Sequence, residues 1–265
     1  MTQLGNSSAV QTVHPPDRPQ ASVTLGWGAL TDIGLRRAHN EDSLLSRPPV
    51  FAVADGMGGH AAGDVASAAV VARLSEALSG DFLEPGVIDT ALRAATADIA
   101  LAADEDQLGV GTTVTGIALT VQGNGVYWTV FNVGDSRVYL FEGGELSRLT
   151  VDHSVVQELV DSGAIRPEDA ESHPRGNIIT RAVGFNVEPV PDYWMLPVRE
   201  NVRLLLCSDG LTKELKETAI RGHLAAGQDA QRTADTLVAA ALSAGGRDNV
   251  TVIVVDVLGT TGFFD

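Results

Sequence analysis

The sequence predicts an α+β fold, with antiparallel sheets layered between helix pairs, and three observations carry that prediction. Three apolar runs, "TTVTGIALTV", "GVYWTVFNV" and "SRVYLFE", follow one another. "QGNG" joins the first two and "EGGE" follows the third, and strands joined by such short turns are antiparallel. Helical patterns come in neighbouring pairs, over residues 64–78 with 86–104 and over 212–224 with 230–244. Strands and helices therefore do not alternate one for one, which excludes a doubly wound parallel sheet. With 265 residues, 44% of them hydrophobic, the chain is long enough to bury the core of one such domain.

Each element has a local cause. Residues 1–21 are polar and carry Pro15, Pro16 and Pro19, so they read as a disordered tail, and ordered structure is expected from about residue 22. "SVTLGWGAL" and "PVFAVAD" read as strands. Asp64 is placed to cap the first helix ahead of alanine-rich sequence. In the second helix Ile88, Leu92, Ala95, Ile99 and Ala102 recur at spacings of four and three, which lines one helical face. Residues 152–190 are more polar, with "GAIRPEDAESHPRGN" the least core-like stretch, and read as a surface excursion of helix and loop. "NVRLLLCSD" and "NVTVIVVDV" are further strands. Residues 259–265 read as a second tail, in which Phe263 and Phe264 are frayed.

Composition narrows the function. Eighteen basic against 34 acidic residues leave a net charge of −16, and no basic face is available for phosphate neutralisation along a nucleic acid. One cysteine, Cys207, rules out an intramolecular disulfide and reads as an inert core residue. The first ten residues carry no basic start with an apolar run, and no apolar stretch approaches the ~18 residues that span a bilayer. The expectation is a cytoplasmic monomer without nucleic-acid or membrane partners.

The informative pattern is acidic. Asp55 follows the run "FAVA" and precedes three glycines; Asp209 and Gly210 follow "VRLLLCS"; Asp135 follows "YWTVFNVG"; Asp248 precedes "NVTVIVV". Glu41 and Asp42 stand ahead of the strand pair that leads to Asp55. An isolated Asp-Gly is a turn. Several acids at strand ends would repel and hold one another protonated unless a cation sat among them. Oxygen ligation without histidine or cysteine suits magnesium or manganese rather than zinc, and the adjacent glycines would let backbone approach such an ion.

"TDIGLRRAHNED", "VADGMGGH", "GTTVTGIAL", "NVGDSRVYL", "LTVDHS", "LLLCSDGLT" and "GGRDNVTVIVV", in that order, resemble the metal-dependent protein phosphatases of the protein phosphatase 2C family in its bacterial form. The resemblance spans residues 22–258 and implies a layered α-β-β-α sandwich with a small flap at about 152–190. It implies hydrolysis of phosphoserine and phosphothreonine in proteins by direct attack of a hydroxide bridging two ions, Mn2+ or Mg2+. Asp55 would bridge the ions, Asp209 and Asp248 would hold the first, and Asp42 and the Gly56 carbonyl would serve the second. Asp135 with Asp209 would hold a third, weaker ion. Arg37 would grip the substrate phosphate, and Glu41 would stand behind the ligands. Substrates would be proteins phosphorylated by a serine/threonine kinase.

Met57 stands two residues after Asp55, where animal relatives carry the histidine proposed as general acid. His60, or a water on the metal, remains to protonate the leaving oxygen. His173, in the flap-like excursion, is a candidate substrate contact, and His153 reads as a cap for the helix that follows it. Rival chemistries fail on letters: Lys213 stands where a cysteine phosphatase needs arginine after Cys207, and "GDS" at 134–136 lacks a late Asp-x-x-His partner. The alternative from another class is an inactive member serving as a metal-dependent scaffold; it would have lost ligand acids, and Asp42, Asp55, Asp209 and Asp248 are all present with Arg37.

Overall fold

Alternation of side chains across two stacked sheets sorts the apolar residues into three layers. A computed structural model describes residues 1–58, 62–84, 86–102, 109–170, 173–185 and 188–263. The strands are β1 (Gln3–Gly5), β2 (Ser8–Val13), β3 (Ser22–Asp32), β4 (Asp42–Arg47), β5 (Val50–Met57), β6 (Gly111–Thr112), β7 (Val114–Gln122), β8 (Gly125–Val133), β9 (Arg137–Glu142), β10 (Glu145–Arg148), β11 (Asp192–Pro197), β12 (Arg203–Cys207) and β13 (Val250–Thr261). Among the described residues one sheet has seven strands, ordered β1-β4-β5-β7-β8-β11 with β6 on β5, and the other has six, ordered β10-β9-β12-β13-β3-β2.

Leu204 and Leu206 point into the layer between the sheets, where they meet Phe51, Val53, Trp128, Ile253 and Val255. Leu205 and Cys207, one residue out of phase, point to the far side and meet Leu237 and Val238. That side is covered by α6 (Glu217–Leu224) and α7 (Ala230–Ala244). The outer face of the first sheet carries Val50, Ala52 and Ala54 against Val70, Leu74, Leu92 and Ile99 of α1 (Ala62–Glu76) and α2 (Val87–Ala102). Strands buried on both faces read as unbroken apolar runs, as these do. Between the sheets Phe51 meets Trp27 and Trp128 edge-on, with centroids 5.5 and 6.4 Å apart. The layered fold class expected from the sequence is therefore found.

Four expectations are corrected. Residues 3–13 are not a tail: β1 pairs with β4 and β2 with β3, and Val13 is fully buried. Each sheet has an edge row of unpaired N–H and C=O groups, and backbone pairing there needs no apolar side chains. The β1–β4 pair is parallel, so that sheet is not wholly antiparallel. Residues 259–261 are not frayed, because β13 continues against β3 through Thr261, and Phe263 packs on the core; Phe264 lies outside the described residues. The helix expected over 212–224 is two, α5 (Asp209–Thr212) and α6, separated by Lys213–Lys216.

The polar excursion carries α3 (Val155–Asp161) and α4 (Pro167–Ala170), and the chain returns to the first sheet as β11 on β8. Ser154, not His153, caps α3, its hydroxyl accepting the Gln157 N–H at 3.2 Å.

Candidate active site

The inward-facing positions turn polar at one end of the sandwich. Along β12 the sequence of inward residues is Leu204, Leu206, then Ser208; along β13 it is Val255, Ile253, then Thr251; along β5 it is Phe51, Val53, then Asp55. Asp42 and Asp55 are direct cross-strand partners in the β4–β5 ladder. Neighbours in that position share a face of the sheet, and like charges there are destabilising by themselves.

Asp42 is fully buried, and its Oδ2 accepts the hydroxyls of Ser208 at 2.9 Å and Thr251 at 2.6 Å. Its Oδ1 has no partner, and neither does Oδ1 of Asp209. Burial outweighs the two hydroxyls and, with Asp209 and Asp248 nearby, pushes the Asp42 carboxyl up to about 7. Burial and the charges of Asp42, Asp209, Asp135 and Asp248 push Asp55 well above the usual carboxylate range. Asp135 is pushed up to about 7 by burial, then by Asp209 and Asp152, with Lys213 opposing. Burial raises Asp209 too, against the pull of Lys213. Burial and like charge thus disfavour the ionisation of these four carboxylates across one small volume.

Two cations sit among them. Lys213 Nζ pairs with Asp209 Oδ2 and lies 3.3 Å from Asp248 Oδ2. Arg37, half exposed, reaches Asp248 Oδ1 at 2.8 Å and Oδ2 at 2.9 Å. Among the described residues no three acid, histidine or cysteine side chains close into a finished ligand cage. The donor set nonetheless fits a pair of hard divalent ions: it is all oxygen, it is crowded with like charge, and two of its buried oxygens lack a partner.

Local structure explains how these residues meet. Asn249 braces the loop that carries Arg37: its Nδ2 donates to the carbonyls of Ile33 and His39, each at 2.9 Å, and its Oδ1 accepts the Glu41 N–H at 2.9 Å. Gly56 has a packing cause not anticipated from the sequence, since a Cβ there would lie 2.0 Å from the Gly63 carbonyl oxygen at the start of α1. Gly210 is similar, its Cβ falling 1.9 Å from the Asn249 carbonyl oxygen. The Glu41 carbonyl accepts the Gly56 N–H at 3.2 Å and the Ser67 hydroxyl at 2.5 Å. The Asp55 N–H donates to Thr113 Oγ1 at 3.1 Å, and that hydroxyl is bonded to Ser136.

A cleft of about 1010 Å3 opens beside the acids, lined by Asp135, Asp209, Lys213 and Asp248 on one wall and by Val156, Val160 and His173 of the excursion on the other. His173 is therefore near the site but does not touch the acids; its Nδ1 accepts the Arg175 N–H at 3.2 Å. His60 lies outside the described residues. His153, expected as a helix cap, is instead buried. Its Nδ1 accepts the Gly134 N–H at 3.1 Å and its Nε2 faces Asp192 Oδ2 at 3.1 Å, so it ties the excursion's base to the turn carrying Asp135. Cys207 is fully buried and burial pushes its thiol up to about 12, which leaves it inert, as expected. Ser208, Thr251, Asn249 and Lys213 were not anticipated as part of the site. Polar letters continuing the inward alternation at 208 and 251 were the available signal.

The profile of protein phosphatase 2C matches residues 36–244. The chain belongs to the protein phosphatase 2C family. It is 43% identical over 247 residues to the serine/threonine protein phosphatase PstP of Mycobacterium tuberculosis, an alignment that covers 90% of this chain and 46% of that protein. It is 40% identical over 240 residues to the serine/threonine phosphatase stp of Listeria monocytogenes, covering 85% and 93%. The chain thus spans about half the length of the mycobacterial relative and nearly all of the listerial one. Among solved structures it is similar to the M. tuberculosis phosphatase PstP/Ppp, with a TM-score of 0.81 at 42% identity over 89% of this chain and 100% of that one. It is also similar to the PstP catalytic domain in complex with two manganese ions, with a TM-score of 0.78 at 41% identity over 89% and 99%. Among the described residues no helix is long and apolar enough to cross a membrane.

Proposed function

We propose that this 2C-family chain is a metal-dependent serine/threonine protein phosphatase that releases phosphate from phosphoserine and phosphothreonine with water as the attacking group. The observation that carries the reading is the meeting of Asp42, Asp55, Asp209 and Asp248 with Arg37, beside a cleft that Asp209 and Asp248 line, with two carboxylate oxygens buried and unpartnered. Asp55, Asp209 and Asp248 would hold one ion, and Asp55, the Gly56 carbonyl and Asp42 the other. When bound, two such cations lower the pKa of water toward neutrality and offset the charge of the phosphate. The two-manganese structure of the PstP catalytic domain supports two ions of that kind here.

The chain's own residues do the rest. Ser208 and Thr251 aim the Asp42 carboxylate by occupying one oxygen and leaving the other for the site. Arg37, half exposed and paired with Asp248 of the cleft wall, carries a planar fork of donors suited to two phosphate oxygens once it leaves Asp248. Its loop is held at that distance by Asn249. No protein nucleophile is needed: Cys207 is sealed in the core, and Met57 offers no proton. His173 would meet the peptide from the opposite wall. The substrates would be cytoplasmic proteins phosphorylated by a serine/threonine kinase.

The test is release of phosphate from phosphothreonine and phosphotyrosine peptides with Mn2+, and with chelator in place of Mn2+. Hydrolysis of the first peptide that needs Mn2+ and is lost in Asp209→Asn supports the reading. Metal uptake with no turnover of any phosphopeptide would replace it with the scaffold role.

A further inference from the structure

Lys213 is built into the acidic cluster rather than resting on its surface. It follows α5 directly; its N–H donates to the Asp209 carbonyl at 2.8 Å, and its own carbonyl accepts Arg247 at 3.2 Å. The backbone is fixed at both groups, so the ammonium has a short and defined reach. It lands on Asp209 Oδ2, within 3.3 Å of Asp248 Oδ2, on the wall it shares with Asp135. The side chain is about one-third exposed (34%), so its position is set by these carboxylates and not by confinement. Charge accounting gives the position a meaning. Two divalent ions offset four of the five carboxylates Asp42, Asp55, Asp135, Asp209 and Asp248. With Arg37 turned from Asp248 to the substrate phosphate, the one carboxylate assigned to neither ion is Asp135, on the wall where Lys213 stands and where its field opposes the effect of burial on Asp135.

We infer that Lys213 supplies, as part of the chain, the positive charge that a third ion would otherwise bring to Asp135 and Asp209, so that this centre takes up two divalent ions and no third. The inference rests on the metal reading of the preceding section. A tethered ammonium is present at every concentration of metal, so a third ion would have to displace it from Asp209 before binding. Lys213 is then the residue that sets how many ions the cluster holds.

The experiment counts ions. The full chain is stripped with chelator and titrated with MnCl2 by calorimetry, with native mass spectrometry of the same samples. The wild type takes up two Mn2+ per chain, and so does Lys213→Arg, which keeps the charge. Lys213→Met, of similar length but uncharged, gains a third and weaker binding event, which Asp135→Asn in the same chain removes. Circular dichroism checks folding, and Lys213→Gln replaces the methionine variant if that one does not fold. The inference is overturned if the uncharged variant binds the same number of ions as the wild type, whether two or three, or if its extra ion persists without Asp135. A wild type that takes up no Mn2+ at all overturns the metal reading itself, and this inference with it.

Discussion

The sharpest quantitative expectation concerns Asp42 in the metal-free protein. Its carboxyl titrates at about 7 in the folded chain, against 3.8 when unfolded. Between those values the folded chain holds a proton that the unfolded chain has released. Folding therefore takes up a proton, and raising the pH across that window lowers stability. Each factor of ten in proton affinity is worth about 1.4 kcal/mol, so the whole interval amounts to about 4 kcal/mol. About 3 kcal/mol of that is lost between pH 5 and 8, or roughly 6–12 °C in melting temperature for a chain of this size. Asp42→Asn cannot ionise, yet its side-chain oxygen still accepts from Ser208 and Thr251. With chelator present, the variant is expected to melt above the wild type at pH 8, to approach it at pH 5, and to show the shallower dependence on pH. Thermal melts followed by circular dichroism across pH 5–8 measure this. A variant that melts no higher at pH 8, with an unchanged slope, refutes the account of Asp42 as a carboxylate strained by burial.

Two further outcomes follow from named contacts. Asn249→Ala removes three hydrogen bonds and strands the Ile33 and His39 carbonyls and the Glu41 N–H. It should cost about 2–4 kcal/mol of stability and lower kcat/KM on a phosphopeptide; a melting temperature equal to wild type would remove Asn249 as the brace. Arg37→Lys keeps a charge but loses the two-pronged geometry, so kcat/KM should fall about 10- to 100-fold with Mn2+ uptake retained in calorimetry; full activity would take the phosphate away from Arg37.

Much of the architecture was legible because strands buried on both faces write themselves as apolar runs and the turns between them as glycine pairs. The helix at 230–244 was bounded by Asp229, whose side chain caps it, and by Gly245. The acids were legible for the opposite reason, since nothing in folding places a carboxylate at the end of a core strand. What stayed hidden was non-local. β1 and β2 are held by backbone pairing, β1 to partners 41 residues on (Gln3 with Leu44) and β2 to partners 10 to 19 residues on (Val13 with Val23, Ser8 with Trp27), which their polar letters do not advertise. β11 is half-exposed and joins β8 from across the excursion. His153 looked like a cap because its neighbours in sequence begin a helix, whereas its partners are Gly134 and Asp192. Lys213 had no signal beyond its position four residues after Asp209, where the turn of α5 brings the two side chains together.

The two short strands at the front of the chain belong to different sheets: β1 lies along β4, and β2, three residues later, lies along β3. Eleven residues thus lace the two halves of the sandwich together along one flank, as a hem closes a seam. Trimming them would bare two ladder edges at once, one per sheet, each able to recruit a strand from another molecule. For anyone preparing this protein, the front end is a place to leave intact, and a purification handle belongs elsewhere.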